Sequence, residues 1–407
     1  MPSTSQTIRA WNGPTLLSYG YRPFFLFGAI WAALAMALWV WALAGGQVPA
    51  PAFSHLDWHV HGMLFGYPMA VVAGFLMTAV PNWTGRFPIV GWPLAVLVAL
   101  WLAGRVAVTA PAGIGPVGVA LIDLAFPLAL GAAMLREIVA GRNWRNLKVL
   151  ALLALIALGN GLFHWEAAQG LGAQGWGARL GLAGLIALIT LIGGRIVPSF
   201  TRNWLAARGP GPLPAAAGGV DNAVMAVTLL ALALWAALPG TVLAGLACLL
   251  AGVANLARLA RWQGLRCGAE PLVWVLHAGY AFVPLGFLAI GAQSLGAPGT
   301  ASAAQHVWMA GAVGLMTLAV MSRASLGHAG LPLAAGRGVA LLYLALIGSV
   351  AARFLHGLFP LPATLHLAGA LWITAFAGFA LLYWPILARP RRAQRQANAP
   401  RSVARRG

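Results

Sequence analysis

Long apolar stretches constrain the fold of this chain more than any other feature. Stretches of about 20 apolar residues, each sufficient to cross the roughly 30 Å hydrocarbon core of a bilayer as a helix, recur along the whole sequence. Inside such a core every backbone polar group must be hydrogen-bonded within the protein, which leaves α-helices and closed β-barrels. The stretches are rich in Leu and Ala and lack the strict alternation of barrel strands. The sequence therefore predicts an all-α, polytopic integral membrane protein.

The composition excludes a soluble domain. Hydrophobic residues make up 61% of the 407 residues and charged residues only 8%, whereas a soluble domain carries about 25% charged residues. Six carboxylates cannot cover a water-soluble surface of this size. We expect about twelve transmembrane helices, at residues 23–44, 58–80, 89–109, 116–135, 147–168, 178–198, 220–238, 240–261, 271–292, 303–322, 337–358 and 363–387.

Lys and Arg residues predict the orientation of these helices. Three of the 25 lie on the side of the odd-numbered loops, namely Arg105, Arg179 and Arg353, and the other 22 lie in the N-terminal segment, the even-numbered loops and the tail. Because positive residues are retained on the cytoplasmic side, both termini are predicted to be cytoplasmic. This distribution also explains the net charge of +19 without nucleic acid, and the basic tail is expected to be attracted to anionic lipid headgroups.

Short loops predict a single membrane domain. We expect a cytoplasmic N-terminal segment at 1–22, a transmembrane helical domain at 23–388 and a basic, disordered cytoplasmic tail at 389–407. The Pro/Gly-rich stretch at 209–219 divides the chain near its middle and could join two halves of six helices each.

The histidines are the most informative polar residues in so apolar a chain. Seven of the nine are predicted near the outer membrane surface: His55, His59, His61, His164, His306, His356 and His366. Imidazole is a good ligand for haem iron, copper and zinc, and polar side chains at membrane depth are candidates for functional sites. A single interfacial histidine is ordinarily a polar tip that reaches the headgroups, but seven at one level favour a metal centre.

His59 and His61 are separated by one residue, which limits how they can act together. On an α-helix residues i and i+2 point about 200° apart, so two helical histidines at these positions cannot easily bind one metal. They would serve two centres, or one would bind a metal and the other would lie beside that ligand. If the segment is extended or irregular, both could bind one metal.

Other polar residues are predicted elsewhere in the membrane or in loops. His277 lies about two turns into the ninth span, and His328 lies in the cytoplasmic loop after the tenth. Arg195 and Arg323 lie at helix ends, where a guanidinium needs an anion such as a haem propionate, a lipid phosphate or an internal carboxylate. Two carboxylates, Asp123 and Glu166, are candidates either for proton carriers or for structural hydrogen bonding.

Five stretches of the chain resemble the NnrS family. They are residues 20–26 (GYRPFFL), 58–66 (WHVHGMLFG), 74–86 (GFLMTAVPNWTGR), 193–203 (GGRIVPSFTRN) and 321–330 (MSRASLGHAG). The resemblance implies a bacterial inner-membrane protein of twelve helices that binds haem, of b type, and copper, and that helps cells to withstand nitric oxide.

The resemblance also implies a set of site residues. The family pattern has histidines at His59, His61, His277, His306 and His328, a less firmly matched one near His164, and arginines at Arg195 and Arg323. The family has W-H-x-H-E-M where this chain has Gly62 in place of the glutamate. Because a carboxylate beside metal-binding histidines can orient an imidazole or transfer protons, its loss bears on any proton-consuming reaction.

Four functions from different classes are considered at the level of sequence, and three of them remain open. The first is a nitric oxide reductase-like enzyme, which would need an external electron donor that the sequence does not identify. The second is a transporter of copper, haem or a metal-nitrosyl species, and the third is a protein that binds or senses nitric oxide without turnover. A true haem–copper terminal reductase is disfavoured, because those enzymes carry two adjacent histidines on one helix and this chain has no His-His pair.

Overall fold

The described residues form twelve helices that are long and apolar enough to cross a bilayer, which confirms the predicted fold class. The computed structural model describes residues 11–46, 52–86 and 88–390. The basic tail predicted at 389–407 lies outside the described residues from position 391 onward. We number the helices α1 to α12 in chain order: Tyr21–Leu43, His55–Thr84, Trp92–Thr109, Gly115–Ala140, Trp144–Ala167, Trp176–Ala206, Gly219–Ala237, Val242–Ala260, Pro271–Ser294, Ala301–Ala329, Arg337–Leu358 and Pro362–Ala388.

Aliphatic side chains cover much of the outside of this bundle. Val117, Leu121 and Leu381 are 73%, 67% and 75% exposed, and many other Leu and Val residues of the peripheral helices point outward in the same way. In water so much exposed apolar surface would be unfavourable, whereas in a bilayer it contacts lipid tails at little cost. The protein is therefore a multi-pass membrane protein.

Helices α2, α6 and α10 form the centre of the bundle. In its most apolar window α2 is 94% buried, and α6 and α10 are each 72% buried, more than any other described helix. These three helices contact one another. The remaining helices surround them, and α1 packs against α12 to close the ring. Side chains of α2, α6 and α10 are thus positioned to form an internal site.

Two of the central helices contain a π-helical segment directly after a histidine. In α2 the segment Gly62–Gly66 follows His61, and in α10 the segment Val307–Leu315 follows His306. A π-segment widens the helix and changes the direction in which the following side chains point, and such segments occur often at functional sites. Both segments lie towards the same end of the bundle, where odd-numbered helices end and even-numbered helices begin. We call this the histidine end.

Candidate functional site

A cavity opens at the histidine end of the bundle. Its volume is about 470 Å³, within the usual range for small-molecule and cofactor sites. Side chains from α1, α2, α6, α7, α10, α11 and α12 line it, and most of them are apolar. Four lining residues are basic: His59, Arg179, His306 and Arg353. The cavity therefore combines an apolar wall with a few convergent polar groups.

His59 is held in the cavity wall by an aromatic neighbour. Its imidazole stacks on the Trp39 ring, with ring centres 4.5 Å apart and planes inclined by 16°. Within the described part of the chain its Nδ1 atom is buried and lacks a hydrogen-bond partner. His306 and Arg353 lie close enough to interact with it electrostatically.

His306 presents a defined tautomer to the cavity. Its Nδ1 atom lies 2.7 Å from the backbone oxygen of Ser302, one turn earlier on α10. A carbonyl oxygen only accepts, so Nδ1 carries the proton and Nε2 carries the lone pair. Histidines that ligate metals are commonly oriented by such a bond from the other ring nitrogen.

The two arginines are fixed to the rim of the same cavity. Arg353 Nη2 donates to Ser302 Oγ at 2.7 Å, while its buried Nη1 lacks a partner among the residues described. Arg179 Nε donates to the backbone oxygen of Ala236 at 2.8 Å, and its guanidinium lies over the Trp176 ring. Two cationic side chains therefore flank an apolar space that two imidazoles enter.

A second polar group lies fully inside the protein, around Asp123. Its Oδ2 atom accepts hydrogen bonds from His61 Nε2 at 3.1 Å, His164 Nε2 at 3.0 Å and Asn160 Nδ2 at 2.8 Å. Its Oδ1 atom is paired with Arg105. All five side chains are at most 5% exposed. We call these five residues the Asp123 cluster.

Two glycines make the close packing of this cluster possible. A β-carbon at Gly104 would lie 2.6 Å from Asp123 Oδ1, and one at Gly66 would collide with Arg105 Nη1. The helices α2, α3 and α4 can therefore approach closely enough for Arg105 to reach Asp123. Three phenylalanine rings, those of Phe53, Phe65 and Phe163, surround the imidazoles of the cluster.

His59 and His61 thus belong to different sites. Both lie in the regular α-helical segment His55–His61, so their side chains point in different directions. His59 points into the cavity and His61 points into the Asp123 cluster. The structure brings His59 together with His306, and His61 together with His164.

The other two predicted histidines lie apart from both sites. His277 Nε2 bonds to Thr201 Oγ1 at 2.7 Å, in the half of the bundle remote from the cavity. His328 was expected in a loop, but α10 continues to Ala329 and includes it. Its ring packs on those of Tyr19 and Tyr21, with centres 5.4 and 5.3 Å away.

The predicted arginines are also remote from the cavity. Arg195 Nη1 donates to Asn146 Oδ1 at 3.3 Å, and the Arg323 guanidinium lies over the Phe200 ring at 4.2 Å. Neither residue is among those that line the cavity. Glu166 has a structural contact, since its carboxylate accepts from the backbone N–H groups of Trp176 and Gly177 at 2.7 and 2.8 Å and caps the start of α6.

Sequence reasoning missed the three arginines that the sites use. Arg179 and Arg353 line the cavity and Arg105 pairs with Asp123. The sequence does distinguish these three arginines, because they alone lie on the side of the odd-numbered loops while the other 22 Lys and Arg residues lie on the opposite side. A positive residue that remains on the unfavoured side of the membrane suggests a function that retains it.

Comparison with known proteins identifies one family. A family model described as NnrS protein matches residues 15–391. No curated protein matches the chain. The match includes every residue of the cavity and of the Asp123 cluster, and because it spans nearly the whole chain, the protein belongs to the NnrS family.

Proposed function

We propose that this protein binds haem and copper at the histidine end and protects bacterial cells from nitric oxide by binding or reducing it there. Membership of the NnrS family supports a role in the nitric oxide response. The observation that carries the haem proposal is the convergence of His59, His306, Arg179 and Arg353 on one apolar cavity.

The lining of the cavity suits a b-type haem chemically. Its walls are mainly apolar, as a porphyrin requires, and a cavity of about 470 Å³ is large enough for a cofactor. His59 and His306 would hold the iron through their ring nitrogens. Arg179 and Arg353 would bind the propionates, because a guanidinium matches the geometry of a carboxylate. The unpartnered Nη1 of Arg353, counted over the described residues, is available for such a bond.

The Asp123 cluster fits copper by the chemistry of its donors. His61, Asp123 and His164 have ligand atoms within 4.8 Å of one another. Imidazole is a preferred ligand of copper, and a buried site with few ligands suits it better than Mg²⁺ or Ca²⁺. His61 and His164 would hold the metal.

The chain's own residues prepare the cavity for a gas ligand. Bound haem and copper would supply a binding site for nitric oxide and a store for electrons. Trp39 fixes the ring plane of His59, and the Ser302 carbonyl fixes the tautomer of His306. The apolar lining limits the entry of water while admitting a small neutral gas. Reduction of two nitric oxide molecules to nitrous oxide and water consumes two electrons and two protons, so an electron donor outside the chain is required.

We place the histidine end on the periplasmic side of the inner membrane. Of the 25 Lys and Arg residues, 22 belong to segments that the alternation of helices assigns to the opposite side. The cavity would then open towards the periplasm.

Optical spectra of the detergent-purified protein test the proposal. We expect a Soret band and bound copper in the wild type, loss of the Soret band in His59→Ala and His306→Ala, and its retention in the control His277→Ala. Anaerobic addition of nitric oxide to the reduced protein should then shift the Soret band. A wild type that neither contains nor takes up haem would contradict the proposal, and metal uptake by sealed vesicles would instead support a transporter.

A further inference from the structure

A group of buried hydroxyls lies in the half of the bundle opposite the histidine end. Helices α10, α11 and α12 all contribute to the cavity wall and pack against one another. In the opposite half the same three helices carry four hydroxyl side chains that are at most 2% exposed: Ser322, Ser325, Tyr343 and Tyr383. We call these four residues the hydroxyl cluster. The same three helices therefore border both the cavity and the hydroxyl cluster.

Three hydroxyls of this cluster lack a partner. Over residues 11–46, 52–86 and 88–390, the oxygen atoms of Ser325, Tyr343 and Tyr383 have no hydrogen-bond partner. Ser322 Oγ donates to the backbone oxygen of Leu318 at 2.7 Å and lies near both tyrosine hydroxyls. A buried polar group without a partner is unfavourable, and internal water is the usual partner where two or more polar groups converge. The cluster therefore has the composition of a hydrated site.

Buried threonines elsewhere in the bundle satisfy their hydroxyls within their own helices. Thr190, Thr201 and Thr228 each donate to the backbone oxygen four positions earlier, at 2.7 to 2.8 Å. Thr228 also accepts from Asn255 at 2.8 Å. A helical threonine ordinarily bonds back in this way. The unpartnered hydroxyls of the cluster are therefore a local feature and not a property of every buried hydroxyl in this fold.

A carboxylate lies beside the hydroxyl cluster, at the helix ends. Glu270 directly precedes α9, and its Oε1 atom accepts from the backbone N–H groups of Leu272 and Ala335 at 3.0 and 3.1 Å. It is close enough to Arg323 and Tyr343 to interact with both electrostatically. Carboxylates are common members of proton relays in membrane proteins. Glu270 therefore connects the cluster to the end of the bundle through a group that can carry a proton.

Two further hydroxyls lie between the cluster and the cavity. Tyr67 of α2 is hydrogen-bonded to Thr317 of α10. At 1.5 Å per residue, Thr317 is about 7.5 Å along α10 from Ser322. The centre of the Tyr67 ring lies 6.0 Å from that of Trp372, which belongs to the cavity wall. The hydroxyls therefore form a series from Glu270 towards the cavity, with intervals that bound water can bridge.

The reaction in the proposed function gives this series a use. When two nitric oxide molecules are reduced, one N–N bond forms and one N–O bond breaks, and the released oxygen leaves as water. The reaction takes two electrons from an external one-electron donor and two protons. The described residues that line the cavity include no Asp or Glu to supply those protons.

We propose that the hydroxyl cluster, Thr317 and Tyr67 form a hydrated path that carries protons from Glu270 to the cavity. The hydroxyls and the water between them pass the protons along, and the central helix α10 connects the two ends of the path. This inference rests on the proposed function for the use of the protons, and it places their entry at the end opposite the histidine end, which is the proposed cytoplasmic end.

Substituted cysteines test whether the path contains water. The native Cys248 and Cys267, both buried, are first replaced by alanine, and Ser325→Cys, Thr317→Cys or Thr228→Cys is then introduced singly in the full-length protein. Inside-out membrane vesicles expose the proposed cytoplasmic face to 2-aminoethyl methanethiosulfonate, which reacts with the thiolate and therefore needs a hydrated site. We expect Ser325→Cys and Thr317→Cys to react about 10-fold or more faster than Thr228→Cys, the matched buried control.

Turnover tests whether the path carries the protons. Haem-loaded protein receives electrons from ascorbate through a phenazine mediator, and an electrode follows the anaerobic consumption of nitric oxide. Tyr343→Phe and Ser325→Ala each remove one hydroxyl and should slow consumption about 10-fold or more, because a positioned proton-transfer group contributes about 10²- to 10⁴-fold. Their Soret bands should stay as in the wild type. Thr228→Val removes a buried hydroxyl outside the path and should leave the rate unchanged.

Two results would overturn the inference alone. One is a reaction of Ser325→Cys and Thr317→Cys as slow as that of Thr228→Cys, which would show that the path is dry. The other is consumption of nitric oxide at the wild-type rate by both Tyr343→Phe and Ser325→Ala, since the protons would then reach the cavity by another route. A wild type that binds haem but consumes no nitric oxide would instead refute reduction as the proposed function, and with it the use of the protons.

Discussion

His59 and His61 are two residues apart on one helix, yet they belong to sites of opposite character. His59 borders an open cavity whose wall has four basic side chains. His61 is fully buried in a cluster in which each Nε2 proton is directed to a single carboxylate. The difference shows how a helix that lies at the centre of a bundle can serve two sites at once, because successive side chains face different neighbours.

The two sites also differ in charge. The described residues that line the cavity include Arg179 and Arg353 but no Asp or Glu. In the Asp123 cluster the charge of Arg105 is balanced by that of the carboxylate. The cavity therefore has an excess of positive charge, whereas the charges within the cluster balance. Four predictions test whether the two sites are separable in this way.

The largest effect is expected from removal of the carboxylate. Asp123→Ala leaves Arg105 buried without a counter-ion, which should lower the free energy of unfolding by roughly 3–5 kcal/mol. Denaturant or thermal unfolding in detergent measures the change. The double variant Asp123→Ala/Arg105→Met should recover much of the loss, because no lone charge remains. If the free energy of unfolding falls by less than about 1 kcal/mol, the change is that expected for an exposed ion pair. Such a result would contradict the burial of the cluster.

Removal of the cavity arginines should weaken haem binding without unfolding the protein. A hydrogen bond to a charged group contributes about 1.5–3 kcal/mol, so Arg179→Ala and Arg353→Ala should each lower the haem affinity about 10- to 150-fold. Titration of the apoprotein with haemin measures this. Arg195→Ala and Arg323→Ala, remote from the cavity, are matched controls with unchanged affinity. A lower haem affinity in these two control variants instead would support Arg195 and Arg323 as the propionate partners.

A pair of glycine variants tests how tightly α2 packs against the cluster. A β-carbon at Gly62 would lie 3.7 Å from the Trp31 ring, an ordinary contact, whereas one at Gly66 would collide with Arg105. Gly66→Ala should therefore lower stability by about 1–3 kcal/mol through overpacking, while Gly62→Ala should change it by less than about 1 kcal/mol. Equal effects in thermal unfolding would show that Arg105 is free to move away.

The smallest effect on stability is expected at the start of α6. Glu166→Ala removes a cap from the N–H groups of Trp176 and Gly177, which should lower stability by about 0.5–2 kcal/mol. Haem and copper contents should stay unchanged, because Glu166 belongs to neither site. The exposed Gln169 provides the control variant, Gln169→Ala. Loss of copper in Glu166→Ala would instead indicate that this carboxylate acts on the cluster.

The sequence by itself determined the class of fold. Apolar stretches the length of a bilayer crossing can be satisfied only as spanning helices, so their number follows from the chain alone. The spacing of His59 and His61 already indicated that two helical histidines could not easily bind one metal, because the direction of a side chain relative to its own helix depends on local geometry.

Only the tertiary structure decided which residues meet. His59 lies against His306, and His61 against His164 and Asp123, because α2 is adjacent to α10, α4 and α5 in the bundle. The order of helices along the chain does not contain this information, since it arises from how their side chains pack. For the same reason the sequence could not show that Arg195 and Arg323 lie away from the cavity, which is bordered by Arg179 and Arg353.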